Sequence, residues 1–222
     1  MKKSRVLPIA LVAVLATGAI TVEKNISSRI ATRVYEVMPR ATDVSASVPL
    51  FEIPGNIVGD NIKSVRINVG QYQLKESTFK PSLAIDAYDI SKATPNVIGS
   101  LDVTATISAA TIKELTDFSD AQIVGNTLQV SVGSGGLGTA VLVPKYSDNQ
   151  IYFELQGVSL FGNEIPADSL PAEIKEQIKS KSVRTLSPPQ GMTVKSISLS
   201  EAGLALTMHD ENFKPANLGS SF

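Results

Sequence analysis

Residues 101–107 read Leu-Asp-Val-Thr-Ala-Thr-Ile, and this stretch decides the fold because apolar and polar residues alternate along it. A period of two puts the apolar side chains on one face of an extended strand and the polar ones on the other. The same period occurs at 44–50, 65–69 and 83–87. This part of the chain is therefore predicted to form half-buried antiparallel strands.

Further strands are predicted on both sides of short helical segments. The alternation resumes at 122–124, 128–132, 139–143 and 151–160, and again at 192–199 and 204–208. Gly125-Asn126 and Asp148-Asn149 are typical of turns between neighbouring antiparallel strands. Short helices are predicted at 109–118, with Ser108 as a cap, and from Ser169 and Pro171 through Lys179.

Residues 23–38 change to a helical period. Ile26, Ile30, Val34 and Val37 recur at helical spacing, and Pro39 closes the stretch. With the strands, this predicts an α+β fold, in which a strongly curved antiparallel sheet wraps around a long N-terminal amphipathic helix, with two shorter helices. The long helix is expected to pack on the sheet as a core helix, to line a lipid cavity, or to do both.

The N-terminus predicts export. Lys2, Lys3 and Arg5 precede an apolar run of 17 residues at 6–22, the layout of a signal peptide or a signal anchor. Ala16 and Gly18 have the spacing of a cleavage site, while the length of the run is near the lower limit for crossing a bilayer. We expect 1–22 to be this leader, 23–213 a single domain and 214–222 a frayed tail. The domain is expected in the extracytoplasmic cell envelope, secreted or tethered to the cytoplasmic membrane by 6–22.

Composition excludes several function classes. The chain has no cysteine, which excludes thiol catalysis, zinc–thiolate sites and iron–sulfur ligation. Without the three leader bases, 17 basic residues face 21 acidic ones, a net charge of −4 that does not favour nucleic acid as a partner. Tryptophan is absent and aromatic residues make up 5%, which argues against a stacking platform for bases or sugar rings.

Two patterns in the sequence could indicate catalysis or metal binding, but the residues around them do not have the secondary structure that these functions require. Residues 133–138, Gly-Ser-Gly-Gly-Leu-Gly, match a dinucleotide-binding pattern, but a strand follows them where a helix N-terminus is required. Ser134 lacks the spacing of a nucleophile elbow, and His209, at a predicted solvated strand end, would need a sharp bend to bind one metal ion together with Asp210 and Glu211. We therefore predict no enzyme activity, no catalytic residue, no cofactor and no metal site.

Binding through apolar surface is the remaining function. An aliphatic sheet around an amphipathic helix suits acyl chains, so phospholipid and a membrane surface are the expected partners. The alternative is a non-catalytic scaffold with a solidly packed sheet that recruits an envelope biosynthetic enzyme. Lys63 and Arg66 are weaker candidates for a contact to a head-group phosphate. The expected lipid-binding wall consists of Ile30, Val34, Phe51, Ile57, Val65, Ile67, Leu101, Val103, Val130 and Phe153.

Two segments resemble a known family. In 48–74, Phe51 leads into a short segment with Pro and Gly, followed by Gly59 and a predicted strand at 62–69. Near the end, 192–199, a Glu201-Ala202-Gly203 turn and 204–208 form a predicted hairpin. This order resembles the LmeA-like phospholipid-binding proteins of bacterial envelopes. The resemblance implies a fold similar to tubular lipid-binding domains, binding of a phospholipid such as phosphatidylinositol, and a supporting role in envelope lipid or lipoglycan assembly.

Overall fold

The structure is a computed structural model that describes residues 26–48, 61–73, 80–91, 97–116, 118, 120–132, 138–186, 188 and 191–214. Within these residues the chain is mostly β, in two six-stranded antiparallel sheets. The leader 1–22, Phe51, Ile57 and most of the tail lie outside the described residues. No helix among the described residues has the length and apolar character needed to span a membrane.

The first sheet has the strand order β1-β2-β3-β4-β12-β11. Four of these strands precede the second sheet in the chain and two follow it. Direct cross-strand neighbours such as Val65 and Ala87 fix the register of β2 against β3. The bounds are β1 Ala41–Ser47, β2 Asn61–Tyr72, β3 Ser82–Ser91, β4 Ile98–Ser108, β11 Thr193–Ser200 and β12 Gly203–Phe213.

The second sheet has the order β10-β8-β7-β6-β5, and β9 also pairs with β8. Its strands from β5 to β9 follow one another along the chain, which is typical of successive hairpins. The predicted turn residues Gly125 and Asp148-Asn149 lie between β5 and β6 and between β7 and β8, with positive φ angles. The bounds are β5 Gln122–Val124, β6 Thr127–Val132, β7 Gly138–Ser147, β8 Gln150–Leu160, β9 Asn163–Pro166 and β10 Arg184–Thr185.

Three short α-helices accompany the sheets in the described part of the chain. α1 is Ile26–Val37, α2 is Ala109–Leu115 and α3 is Ala172–Ser182. Ser108 caps α2 as predicted, since its side chain accepts a hydrogen bond from the Thr111 N–H. A 3-10 turn, Ala167–Ser169, precedes α3.

The predicted fold class is wrong. The described residues form two sheets rather than one curved sheet around a long helix, and α1 has only 12 residues. Such a helix is about 18 Å long, and among the described elements it packs mainly on the edge strand β1. The period of two predicted where the strands lie along the chain. It indicates which side chains of a strand are buried, but it contains no information on which other strands pair with it.

Two aspartates in the left-handed conformation interrupt the alternation within the first sheet. Asp43 in β1 has a φ of 54° and Asp89 in β3 has a φ of 51°. Each lies against a glycine of a neighbouring strand: a Cβ on Gly70 would come within 2.7 Å of the Asp43 Cβ, and one on Gly99 within 2.9 Å of the Asp89 Cβ. In β3 the next buried residue, Ile90, follows two exposed positions. At each aspartate the alternation of buried and exposed residues therefore shifts by one position along the strand.

Contacts divide the chain into two compact units. The N-terminal unit comprises the described residues within 26–105, 188–195 and 207–214, and the central unit comprises those within 106–187 and 196–206. The central unit has its own hydrophobic core. Its buried members are Ile112, Phe118, Ala121, Leu128, Val130, Ala140, Leu142, Phe153, Leu155, Val158, Leu199 and Leu204.

Candidate functional site

An aliphatic face covers adjacent strands of the N-terminal unit. On β2 and β3 the buried residues lie directly opposite one another, as in the pair Ile67 and Ile85 and the pair Val69 and Leu83. This aliphatic face is defined by Val65, Ile67 and Val69 on β2, Leu83, Ile85 and Ala87 on β3, and Leu101, Val103 and Ala105 on β4. None of these side chains carries a hydrogen-bonding group, so the face offers only dispersion and burial to whatever covers it.

α1 adds aliphatic side chains to the same unit. Ile30 and Val34 lie four residues apart, on one face of the helix, and both are buried. The Tyr35 hydroxyl accepts a hydrogen bond from the backbone N–H of Val44 at 3.0 Å, which ties the helix to the edge strand β1. The helix position is thus held by a polar contact as well as by apolar packing.

The expected wall residues do not all lie in one unit. Ile30, Val34, Val65, Ile67, Leu101 and Val103 belong to the N-terminal unit, whereas Val130 and Phe153 belong to the core of the central unit. All eight are buried. Phe51 and Ile57 lie outside the described residues. The structure thus brings six of the ten into one unit, on the aliphatic face and on α1.

The two head-group candidates, Lys63 and Arg66, are both exposed on β2. Arg66, which alternates with the buried Val65 and Ile67, lies on the side opposite the aliphatic face. Its Nε donates to Asp86 Oδ1 at 2.5 Å. That hydrogen bond and the charge of Asp86 raise the pKa of Arg66. Because a carboxylate already engages the guanidinium, a phosphate would have to compete with Asp86 for Arg66.

The central unit has an open polar cleft of about 490 Å³ against β8. Tyr152, Glu154 and Gln156 line it, and they alternate with Phe153 and Leu155, which are buried in the core. The strand period therefore gives β8 one face for the core and one for the cleft, although Leu155 also reaches the lining.

α3 and the 3-10 turn form the other side of this cleft. Ala172, Lys175, Glu176 and Lys179 line it, and their spacing places them on one face of the helix. Lys179 Nζ lies 4.7 Å from the centre of the Tyr152 ring, a cation–π contact across the cleft. Charges of both signs line the cleft, which makes it suited to a polar ligand and unsuited to an acyl chain.

A buried serine joins α3 to β8. The Ser182 hydroxyl accepts a hydrogen bond from the Phe153 backbone N–H at 2.9 Å and donates within its helix to the Lys179 carbonyl oxygen at 3.0 Å. The strand pairing between β8 and β10 covers only Gln150 and Ile151 on β8, so Ser182 supplies the next partner along that edge. The helix therefore replaces a strand as the hydrogen-bonding neighbour of Phe153.

A polar cluster in the N-terminal unit surrounds the single histidine of the chain. His209 Nδ1 lies 2.8 Å from Asp102 Oδ1, and Lys195 Nζ lies 3.5 Å from the same oxygen. His209 Nε2 is 3.7 Å from Glu211 Oε1, so the imidazole faces carboxylates at both nitrogens. Burial raises the pKa of Asp210, and His209 opposes that shift. In the part of the chain that the structure describes, no group of three or more His, Asp or Glu side chains is arranged so that it could hold a metal ion.

Sequence reasoning misses two of these arrangements. The strand pattern predicts a solvated end for His209, yet its side chain is only 24% exposed and faces Asp102, 107 residues away in the chain. The pairing of Ser182 with Phe153 is likewise non-local. Neither has a local signal, because helix and strand periods do not report which elements become neighbours.

Comparison of the chain with protein-family models, with curated proteins and with solved structures found no match. The resemblance to the LmeA-like family therefore stays a prediction.

Proposed function

We propose that this chain is a non-catalytic protein of the extracytoplasmic envelope that binds phospholipid acyl chains against the aliphatic face of its N-terminal unit. The observation that carries the proposal is the composition of that face. Adjacent strands contribute only Val, Ile, Leu and Ala to it, and Ile30 and Val34 of α1 add further aliphatic side chains to the same unit. The apolar leader 6–22, as predicted from the sequence, would bring the unit to a membrane.

The free energy of burying an acyl chain explains how such binding would be useful. Each methylene removed from water contributes about 0.8 kcal/mol, so an acyl chain of about 16 carbons is retained by on the order of 12 kcal/mol. A bilayer offers the chain nearly the same stabilisation. The members of the aliphatic face are buried, so the acyl chain would be held in the interior, and such a dry site needs only to match the bilayer for exchange between protein and membrane to be close to thermoneutral. No charged group is required at that surface.

Native mass spectrometry of the protein as isolated from cells tests the proposal. We expect copurified phospholipid, or uptake of phospholipid from vesicles when the isolated protein is lipid-free. The protein would then be irradiated with a phosphatidylcholine that carries a diazirine in its acyl chain, and the labelled residues mapped. We expect labels at Val65, Ile67, Leu101 and Val103, with Val130 and Phe153 of the central core as the internal control. Protein that carries no lipid and takes up none would refute acyl-chain binding.

An envelope scaffold that recruits a biosynthetic enzyme is the second candidate. The polar cleft of the central unit favours it, since Lys175 and Lys179 face Glu154, Asp168 and Glu176 around an open volume of about 490 Å³. A charged segment of a partner would find complementary groups there. The two candidates differ in the same measurement, because a scaffold is expected to remain free of lipid.

A further inference from the structure

The most exposed large apolar side chain among the described residues is at the tip of a hairpin. Phe161 is 80% exposed, whereas the next such residue, Val124, is 49% exposed. Phe161 and Gly162 form the two-residue turn between β8 and β9, and Leu160 pairs with Asn163 across it. The aromatic ring therefore projects from the narrow end of two strands.

The backbone at this tip also disfavours an aromatic residue. Phe161 has a φ of 53° and Gly162 a φ of 80°, and a bulky residue is rarely found at positive φ. The turn between β7 and β8 has the same signs of φ, but there Asp148 and Asn149 hold the two positions, as such turns prefer. Strain that is retained at an exposed position indicates a use for the side chain.

The strands behind the tip hold it in place. Leu160 pairs with Gly138 of β7, and a Cβ on Gly138 would overlap the Leu160 side chain. This close approach leaves no space between the base of the tip and β7. The tip is thus presented by a three-stranded base of β7, β8 and β9.

We propose that the Phe161–Gly162 tip inserts into the interfacial region of a lipid bilayer. Residues 159–163 read Ser-Leu-Phe-Gly-Asn and carry no charge, so the tip can enter the boundary between head groups and acyl chains without desolvating an ion. A stable protein partner needs about 800 Å² from each side, far more than one side chain on a two-residue turn supplies. This inference rests on the proposed function for the location of the chain at a membrane, but it does not require lipid inside the protein.

The absence of tryptophan from the chain makes a direct test possible. Phe161→Trp introduces one tryptophan at the tip, and Val124→Trp places one at another exposed hairpin position of the same unit. The protein as isolated from cells would be mixed with, or reconstituted into, vesicles of phosphatidylcholine, with and without brominated acyl chains. We expect the Phe161→Trp variant to shift its emission to shorter wavelength and to be quenched by the brominated lipid, while the Val124→Trp variant shows neither effect.

Equal emission and equal quenching of the two variants would overturn the inference. If Phe161→Trp does not fold, Asn163→Trp gives the same reading from an exposed strand position beside the turn. Because the tip is uncharged, adding phosphatidylglycerol or salt should leave the quenching of the Phe161→Trp variant unchanged, and a strong dependence on either would indicate electrostatic adsorption instead.

The same variant separates the two proposals. If the Phe161→Trp protein is free of lipid and its fluorescence is quenched by brominated vesicles, acyl-chain binding is refuted and tip insertion stands. If that protein carries lipid and its fluorescence is not quenched, tip insertion is refuted and acyl-chain binding stands.

Discussion

Replacing Ser182 by alanine should destabilise the central unit, because one hydroxyl joins α3 to β8. The residue is only 2% exposed, and its hydroxyl accepts the Phe153 N–H at 2.9 Å. Ser182→Ala removes the acceptor but leaves the Phe153 N–H buried beside it. The hydrogen bond from the serine to the Lys179 carbonyl oxygen is lost as well, although a carbonyl at a helix end tolerates that loss more easily.

The expected cost follows from these contacts. A buried donor left without an acceptor costs about 1–3 kcal/mol, and we expect about 2 kcal/mol for Ser182→Ala. In a protein of this size, that value corresponds to a fall of about 4–8 °C in Tm. It also corresponds to a decrease of about 1 M in the urea midpoint, at about 2 kcal/mol per molar.

The assay combines a global and a local measurement. Urea unfolding followed by circular dichroism gives the midpoint, with Ser200→Ala, an exposed serine of the same unit, as the matched control. Hydrogen exchange read by mass spectrometry should show faster exchange in the peptide that contains Phe153. A Ser182→Ala midpoint equal to that of Ser200→Ala, with unchanged exchange at Phe153, would refute the reasoning.

Two further predictions concern the N-terminal unit. Gly70→Ala should lower the free energy of unfolding by about 1–3 kcal/mol, because its Cβ would lie 2.7 Å from that of Asp43, and most of this loss should disappear when Asp43→Gly is added. Urea midpoints of the original protein, the two single variants and the double variant measure the coupling between the two positions. Strictly additive effects would contradict the contact. Burial raises the pKa of Asp210 above its ordinary 3.8, so the folded state loses stability as pH rises from about 3.8 through the raised pKa. Asp210→Asn should therefore raise Tm at about pH 7 and not at about pH 3, and an equal change at both would count against this assignment.

Alternation and turn chemistry were enough to predict most strands. The stretch 101–107 lies within β4, and the Asp148-Asn149 turn lies between β7 and β8, because both depend on interactions between residues close in the chain. The helix capped by Ser108 was predictable for the same reason. The prediction of one curved sheet around a long helix was wrong, because the pairing of strands depends on contacts between distant residues.

For the candidate sites, too, some features could be predicted from the sequence and others required the tertiary structure. The aliphatic character of Val65, Ile67, Leu101 and Val103 could be read from the sequence, since a strand buries one face whatever its neighbours are. The assignment of Val130 and Phe153 to the central unit could not, because strand period contains no information on which sheet a strand joins. The polar cleft needs β8 and α3 side by side, a contact that the sequence did not predict.

The sequence by itself determined the positions of the strands and turns, the absence of cysteine and tryptophan, and the prediction of an export leader. The tertiary structure decided the two sheets, the change of buried face at Asp43 and Asp89, the exposure of Phe161 and the partners of His209 and Ser182. The reason is physical. Local backbone preference and side-chain period act over a few residues, whereas sheet order, burial and hydrogen-bond partners depend on which distant segments exclude water together.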